Sequence, residues 1–337
     1  MARIEDVAAR AGVSTATVSR ALRGLPNVSA ATRAEVVRAA RELGYVASRS
    51  ASNLASGRTW SVAVLAPSIS RWYFAQVLGA LEHELRPQGY DVLLHSLPPG
   101  REEVFDATRL VRRVDAVVVL TVPLTGAELD VLRGLALPTV FVGASVPGAT
   151  CVRVDDVAVG RLATEHLLSR GHRRIAHVGG DPAEPLNFQA PVDRRAGWMS
   201  ALRGAGVAPR REYDTNGSFT SVGALAAAEA LITLDEPPTA VFAASDEMAF
   251  GVLAAARRRR LRVPHDLAVV GVDDHPLAVV ADLTTVAQDV VRQGSLAAQL
   301  VLAALADGPA HPREHVLVPV TLVRRGSSDG GVRTGSH

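Results

Sequence analysis

A chain of 337 residues is too long for one core of ordinary size, so two or three structural units are expected. Apolar residues make up 48% of it, yet no stretch stays apolar for the roughly 18 residues of a bilayer span, and the N-terminus opens amphipathic instead of as a signal peptide. The expectation is a cytoplasmic protein with no membrane partner. Cys151 is the only cysteine, which excludes an intrachain disulfide and a thiolate zinc site; no metal or other cofactor is expected. Net charge is only +2, but through residue 60 nine arginines oppose four acidic residues, so a basic head precedes a body that is slightly acidic.

Ile4, Val7, Ala8 and Ala11 recur at helical spacing and predict a short first helix. Gly12 supplies a turn, and Ser14 is placed to cap a second helix beginning near Thr15, with Val18, Ala21 and Leu22 on its inward face. A third helix is expected from about Ser29 to Leu43, where Thr32 and Glu35 have capping-box spacing. Three short helices with a tight glycine turn read as an all-α helix-turn-helix head. Thr15, Ala16 and Arg20 point outward. In the major groove an arginine pairs with guanine through two hydrogen bonds and a small side chain packs on a thymine methyl, so these three are the candidate base readers on double-stranded DNA. Ser14, Thr17 and Ser19 carry hydroxyls suited to phosphates. The competing reading is a surface bundle in which Arg20 is merely solvated. Residues 48–56, SRSASNLAS, are too short to hold a helix alone in water and read as a linker disordered in the free protein.

From residue 61 short apolar runs alternate with amphipathic ones. Strands are expected at 61–66, 90–95, 115–120, 138–143, 173–179, 239–245 and 267–273, which implies parallel sheets flanked by helices, better split over two sheets than forced into one. Ligands bind outside the carboxyl ends of such strands. Residues there include Ser68, Ser70, Trp72, Tyr73 and Phe74, then His95, Asp155, Asp181, Arg194, Ser245, Asp246, Asp273 and Asp274. This polar supply suits a polyhydroxylated or heterocyclic ligand, although the aromatics serve a core equally well. No GxSxG, HExxH, P-loop or GxGxxG motif is present, so an enzyme is not expected. The body alone reads equally as a solute-binding protein.

IEDVAARAGVSTATVSRAL at 4–22 and VSAATRAEVVRAARELGY at 28–45 resemble the DNA-binding head of the lactose-repressor (LacI-type) family. VDD at 154–156, GHRRIAHVGG at 171–180, DRRAGW at 193–198, PTAVFAASDEMAFG at 238–251, DLAVVGVDD at 266–274 and LTTVAQD at 283–289 extend the likeness over the body. The resemblance implies a helix-turn-helix domain over 1–46, a hinge over 47–60 and a two-lobed, periplasmic-binding-protein-like α/β effector domain over 61–325. Lobe one would hold 61–160 and 290–308, lobe two 161–288 and 316–323, with three crossings between them. Arg23 stands where the family commonly has Asn and would add a phosphate contact. Leu54 matches the hinge leucine that wedges into the minor groove, and Ala51 a small residue beside it. Arg194 and Asp273 match the principal effector ligands, Ser245 a pocket residue, and Asp155 and Gln288 residues of the lobe junction; Ser70, Trp72, Tyr73 and Phe74 complete the candidate effector set. The implied function is a repressor, dimeric on a palindromic operator and controlled by a sugar or sugar phosphate, with a purine or a protein corepressor as alternatives. The tail, 326–337, is polar and glycine-rich, lacks leucine heptads and is expected to be disordered, which favours a homodimer.

Overall fold

The computed structural model describes residues 2–22, 26–45, 58–97, 105–122, 124–180, 189–308 and 312–329. The chain folds as two compact units, Met1–Thr59 and Trp60–His337. In the head, α1 (Ile4–Ala11), α2 (Thr15–Leu22) and α3 (Ala30–Glu42) close around Val7, Val18, Val36 and Ala39. Gly12 ends α1 in the left-handed region, at φ 66°, which is what turns the chain so sharply into α2. The cap of α3 is Ser29, whose Oγ accepts the Thr32 amide at 3.1 Å. The expected Thr32–Glu35 box does not form, because Thr32 already lies inside the helix and Glu35 pairs with Arg38 at 2.6 Å.

The body contains β1 (Ser61–Ala66), α4 (Trp72–Leu85), β2 (Asp91–Ser96), β3 (Ala116–Leu120), α5 (Gly126–Gly134), β4 (Thr139–Val142), β5 (Thr150–Arg153), α6 (Asp156–Ser169), β6 (Ile175–Gly179), α7 (Gln189–Gly204), β7 (Asp214–Asn216), α8 (Ser221–Ile232), β8 (Ala240–Ala243), α9 (Asp246–Arg258), β9 (Ala268–Asp273), α10 (Pro276–Val280), β10 (Thr284–Ala287), α11 (Val290–Asp307), β11 (His315–Leu317) and β12 (Thr321–Val323). They form two sheets, ordered β11-β5-β4-β3-β1-β2 and β12-β10-β9-β8-β6-β7. Every pairing is parallel except that of β12 with β10. Helices or loops cover both faces of the central strands, so β3, β8 and β9 are buried at every residue; β3 and β8 read as unbroken apolar runs, and β9 does so up to Asp273. In β1 the two faces separate cleanly: Val62 and Val64 join the core that holds Val77 and Leu81 of α4, while Ala63 and Leu65 join Phe105, Leu110 and Leu132.

The chain passes between the sheets three times: after β5, after β10, and between β11 and β12. Three expected boundaries change. α6 packs on α7 and against the second sheet, so lobe two begins near residue 155 instead of 161, which would have cut that helix. β11 pairs with β5 in the first sheet, so only the later part of 316–323 belongs to lobe two. Trp60 belongs to the body, its ring 5.2 Å from that of Tyr90 and its amide on the Asp115 carboxylate at 2.8 Å. The tail is also not loose from 326. The Ser327 carbonyl accepts the Val269 amide at 2.9 Å, its hydroxyl donates to the Val269 carbonyl, and Ser328 bonds Thr284 and His166. Residues 326–329 thus stay ordered because buried serine hydroxyls find partners beside β9 and β10; the remainder of that segment lies outside the described residues.

Candidate functional site

Candidate residues fall in two places, one on the head and one in the body. On the head, Thr15, Ala16 and Arg20 are exposed on α2, the side opposite buried Val18 and Ala21. Ser14 serves as the cap, its Oγ accepting the Thr17 amide at 3.2 Å and exchanging a hydrogen bond with the Thr17 hydroxyl at 2.9 Å. Ser19 is half-buried on the same helix. Arg33 donates from Nη1 to the Ala21 carbonyl at 3.2 Å, tying the C-terminal end of α2 to α3 and holding the outward face in place. Arg23, Ala51 and Leu54 lie outside the described residues.

In the body a cavity opens between the two sheets. Of the candidate effector residues it brings together Tyr73, Phe74, Arg194, Ser245, Asp273 and Gln288. Three others are elsewhere. Ser70 is exposed and bonded to the Ser68 hydroxyl at 2.9 Å. Trp72 stands against the ring of His275 at 4.9 Å. Asp155 is the cap of α6, accepting the Ala158 amide at 3.0 Å, and it is the next residue, Asp156, that lines the cavity. Arg71, Asp156, Phe219, Glu247, Gln293 and Thr121 also line the cavity and escaped sequence reasoning. Arg71, Asp156 and Glu247 carried a visible signal, each sitting one place past a candidate or its neighbour at a helix start.

The centre of the site is built by two helices that touch backbone to backbone. A Cβ on Gly160 would fall 2.0 Å from the Arg194 carbonyl oxygen, and one on Gly197 would fall 2.2 Å from that of Val157. Only this glycine pair lets α6 and α7 approach closely enough for Arg194 Nε to reach Asp156 at 2.7 Å, while its Nη1 donates to the Ala244 carbonyl beyond β8 at 2.5 Å. Both charged side chains are more than nine-tenths buried. Opposite them Asp273 ends β9 at φ 124°, a conformation that side chains rarely adopt.

A one-way relay connects the lobes. The Tyr73 hydroxyl on α4 donates to Gln293 at 3.0 Å, the Gln293 amide donates to the Gln288 carbonyl at 2.7 Å, and the Gln288 amide donates to Asp273 at 2.5 Å. Gln288 and Gln293 sit on the crossing after β10, so the relay runs along that crossing. Burial pushes Asp273 up to about 6, against the pull of Arg194 and the Gln288 hydrogen bond. It also pushes up the Tyr73 hydroxyl and Asp246, and at Asp246 the charge of Asp273 adds to the effect. The cavity therefore offers fixed acceptors, fixed donors and two phenyl rings, Phe74 and Phe219, in a largely buried setting. Among the described residues no group of three or more His, Cys, Asp or Glu is arranged to hold a metal ion, and no helix is long and apolar enough to cross a membrane.

Residues 3–48 match the family described as bacterial regulatory proteins, lacI family, and residues 164–328 match the periplasmic binding protein-like domain. The HTH-type transcriptional repressor CytR of Escherichia coli strain K12 is 34% identical over 308 residues, 89% of each chain. The lac repressor dimer bound to operator and the anti-inducer ONPF is similar in structure, with a TM-score of 0.85 at 27% identity over 97% of this chain and 99% of that one. The transcriptional regulator CelR in complex with cellobiose gives 0.71 at 31% identity over 97% and 100%. The head with its outward α2 face, the two-sheet body and these matches together place the chain in the lacI family of bacterial transcription regulators.

Proposed function

We propose that this regulator represses transcription by binding a palindromic operator as a homodimer, and that a polyhydroxylated, sugar-like ligand in the interlobe cavity controls the binding. The observation that carries the ligand half is the pairing of buried Arg194 with Asp156, facing Asp273 on a cavity between the two sheets. Buried charges are costly unless something uses or balances them, and vicinal hydroxyls match a guanidinium and a carboxylate held side by side. The operator half rests on Thr15, Ala16 and Arg20 as base readers, with Ser14, Thr17, Ser19 and Arg23 toward phosphates. One such head makes few contacts, so two must be matched to a two-fold site. Ala51 and Leu54 are assigned to the minor groove on the family resemblance alone.

The mechanism is a change in lobe angle. Three crossings act as hinges, the relay from Tyr73 to Asp273 joins the moving parts, and a ligand that favours one lobe angle shifts operator affinity by its differential binding to the two forms. Catalysis finds no support. Asp155 and Asp156 point to different partners, and so do Asp273 and Asp274, the latter paired with Arg325 at 2.7 Å. A solute-binding role is disfavoured by the exposed basic head. The test is selection of a binding site from random duplexes, followed by operator titration with and without carbohydrates and nucleosides. Recovery of a palindrome whose affinity changes with one of these compounds is expected. Recovery of no preferred sequence rejects the operator half, and an operator affinity unmoved by every compound that binds rejects the ligand half.

A further inference from the structure

We infer that the cavity sorts ligands by charge, accepting an uncharged or cationic polyhydroxylated ring and rejecting the phosphate ester of the same ring, with Glu247 as the specificity-determining residue. The inference rests on the effector reading of the cavity given above and narrows it.

The charged lining is Arg71 and Arg194 against Asp156, Glu247 and Asp273, so carboxylates outnumber guanidiniums, and the chain contains no lysine to supply another cation. Nor are the two arginines idle. Arg194 is held by Asp156 at 2.7 Å and by the Ala244 carbonyl. Arg71 donates to the Ser218 carbonyl at 3.3 Å and lies over the Phe219 ring, 5.9 Å from its centroid. Glu247 differs from all of these. It is half-buried in the first turn of α9, and among the described residues its side chain makes no hydrogen bond or ion pair. Its carboxylate bears electrostatically on Asp273, which shares the cavity lining, and on His275.

A phosphate dianion entering this space would give up its hydration for a lining of net negative charge, whose buried guanidinium is already balanced. A hydroxyl or an ammonium would instead supply Glu247 with the donor that it lacks, and Phe74 and Phe219 offer apolar surface to the faces of a ring.

The experiment is calorimetric titration of the full chain with glucose, glucosamine, cellobiose and adenosine, and with the phosphate esters of glucose, glucosamine and adenosine. In any pair that binds, the unphosphorylated member is expected to bind at least about tenfold more tightly, a gap of about 1.4 kcal/mol. Glu247→Gln, which keeps shape and removes charge, is expected to narrow that gap several-fold. A phosphate ester that binds more tightly than its parent overturns the inference. So does a gap that Glu247→Gln leaves unchanged, or the absence of binding by every uncharged and cationic probe at millimolar concentration. Operator titrations on the same samples separate this claim from the one beneath it. A phosphate ester that binds and shifts operator affinity refutes charge sorting and leaves the effector reading standing; an uncharged probe that binds without shifting it does the reverse.

Discussion

Arg194 and Asp156 meet at 2.7 Å with both side chains nearly removed from water, although 38 residues separate them in the chain. Breaking such a pair from one side strands the other charge, at a cost of about 3–5 kcal/mol, whereas removing both costs far less than the sum. Asp156→Asn is therefore expected to lower the denaturation midpoint of the body strongly, and the double variant Asp156→Asn with Arg194→Met to recover part of the loss. Urea unfolding of the four proteins in the cycle measures this. Strictly additive effects would mean that the pair is not coupled.

The same helix contact makes a sharper claim about two glycines. Gly197→Ala puts a methyl 2.2 Å from the Val157 carbonyl oxygen, where only backbone can yield, while Gly204→Ala at the end of the same helix meets nothing within 4 Å. The first is expected to destabilise the body by about 1–3 kcal/mol and to weaken ligand response by displacing Arg194. The second is expected to be neutral or stabilising by up to about 1 kcal/mol. Thermal unfolding of both variants decides it, and equal midpoints would remove the close-approach argument.

How much of this was readable in the chain depends on where each element gets its stability. β3 and β8 are buried on both faces, and their continuous apolar runs announce them. β7 is Asp-Thr-Asn and β11 is His-Val-Leu, three residues each at sheet edges, and they exist because β6 and β5 offer a ladder to join. The choice between Asp155 and Asp156 follows the same logic. Either could cap α6, and only the Gly160–Gly197 contact, which brings Arg194 alongside, determines which carboxylate turns inward. Gln293 and Phe219 come from distant segments that converge through topology, so no local pattern singles them out.

On the head, Arg20 is exposed on α2 beside Thr15 and Ala16, and the proposed operator binding has it pair with guanine in the major groove. Arg20→Ala is expected to cost about 1–3 kcal/mol at one base pair of each half-site, flattening preference there while ligand binding by the body is unchanged. Binding to a series of single-base operator variants reads this directly. Unaltered discrimination at every position would reject Arg20 as a reader and leave it a solvated surface charge.

Asp273 is pushed by burial from 3.8 to about 6, and Asp246 behind it is also pushed upward. A carboxyl that binds its proton more tightly folded than unfolded contributes stability that is complete below the unfolded value and is lost as pH rises through the folded one. Ionised Asp273 thus works against the fold near neutrality, which is tolerable only if the charge serves a ligand. Asp273→Asn keeps an acceptor for the Gln288 amide and removes the ionisation. Relative to the parent, its melting temperature is expected to gain more at about pH 7.5 than at about pH 4.5, because only at the higher pH does the parent carry the buried charge. Ligand response should be lost at both. A difference between variant and parent that stays constant across this range would show that Asp273 is ionised throughout, held by Arg194 more firmly than its burial opposes.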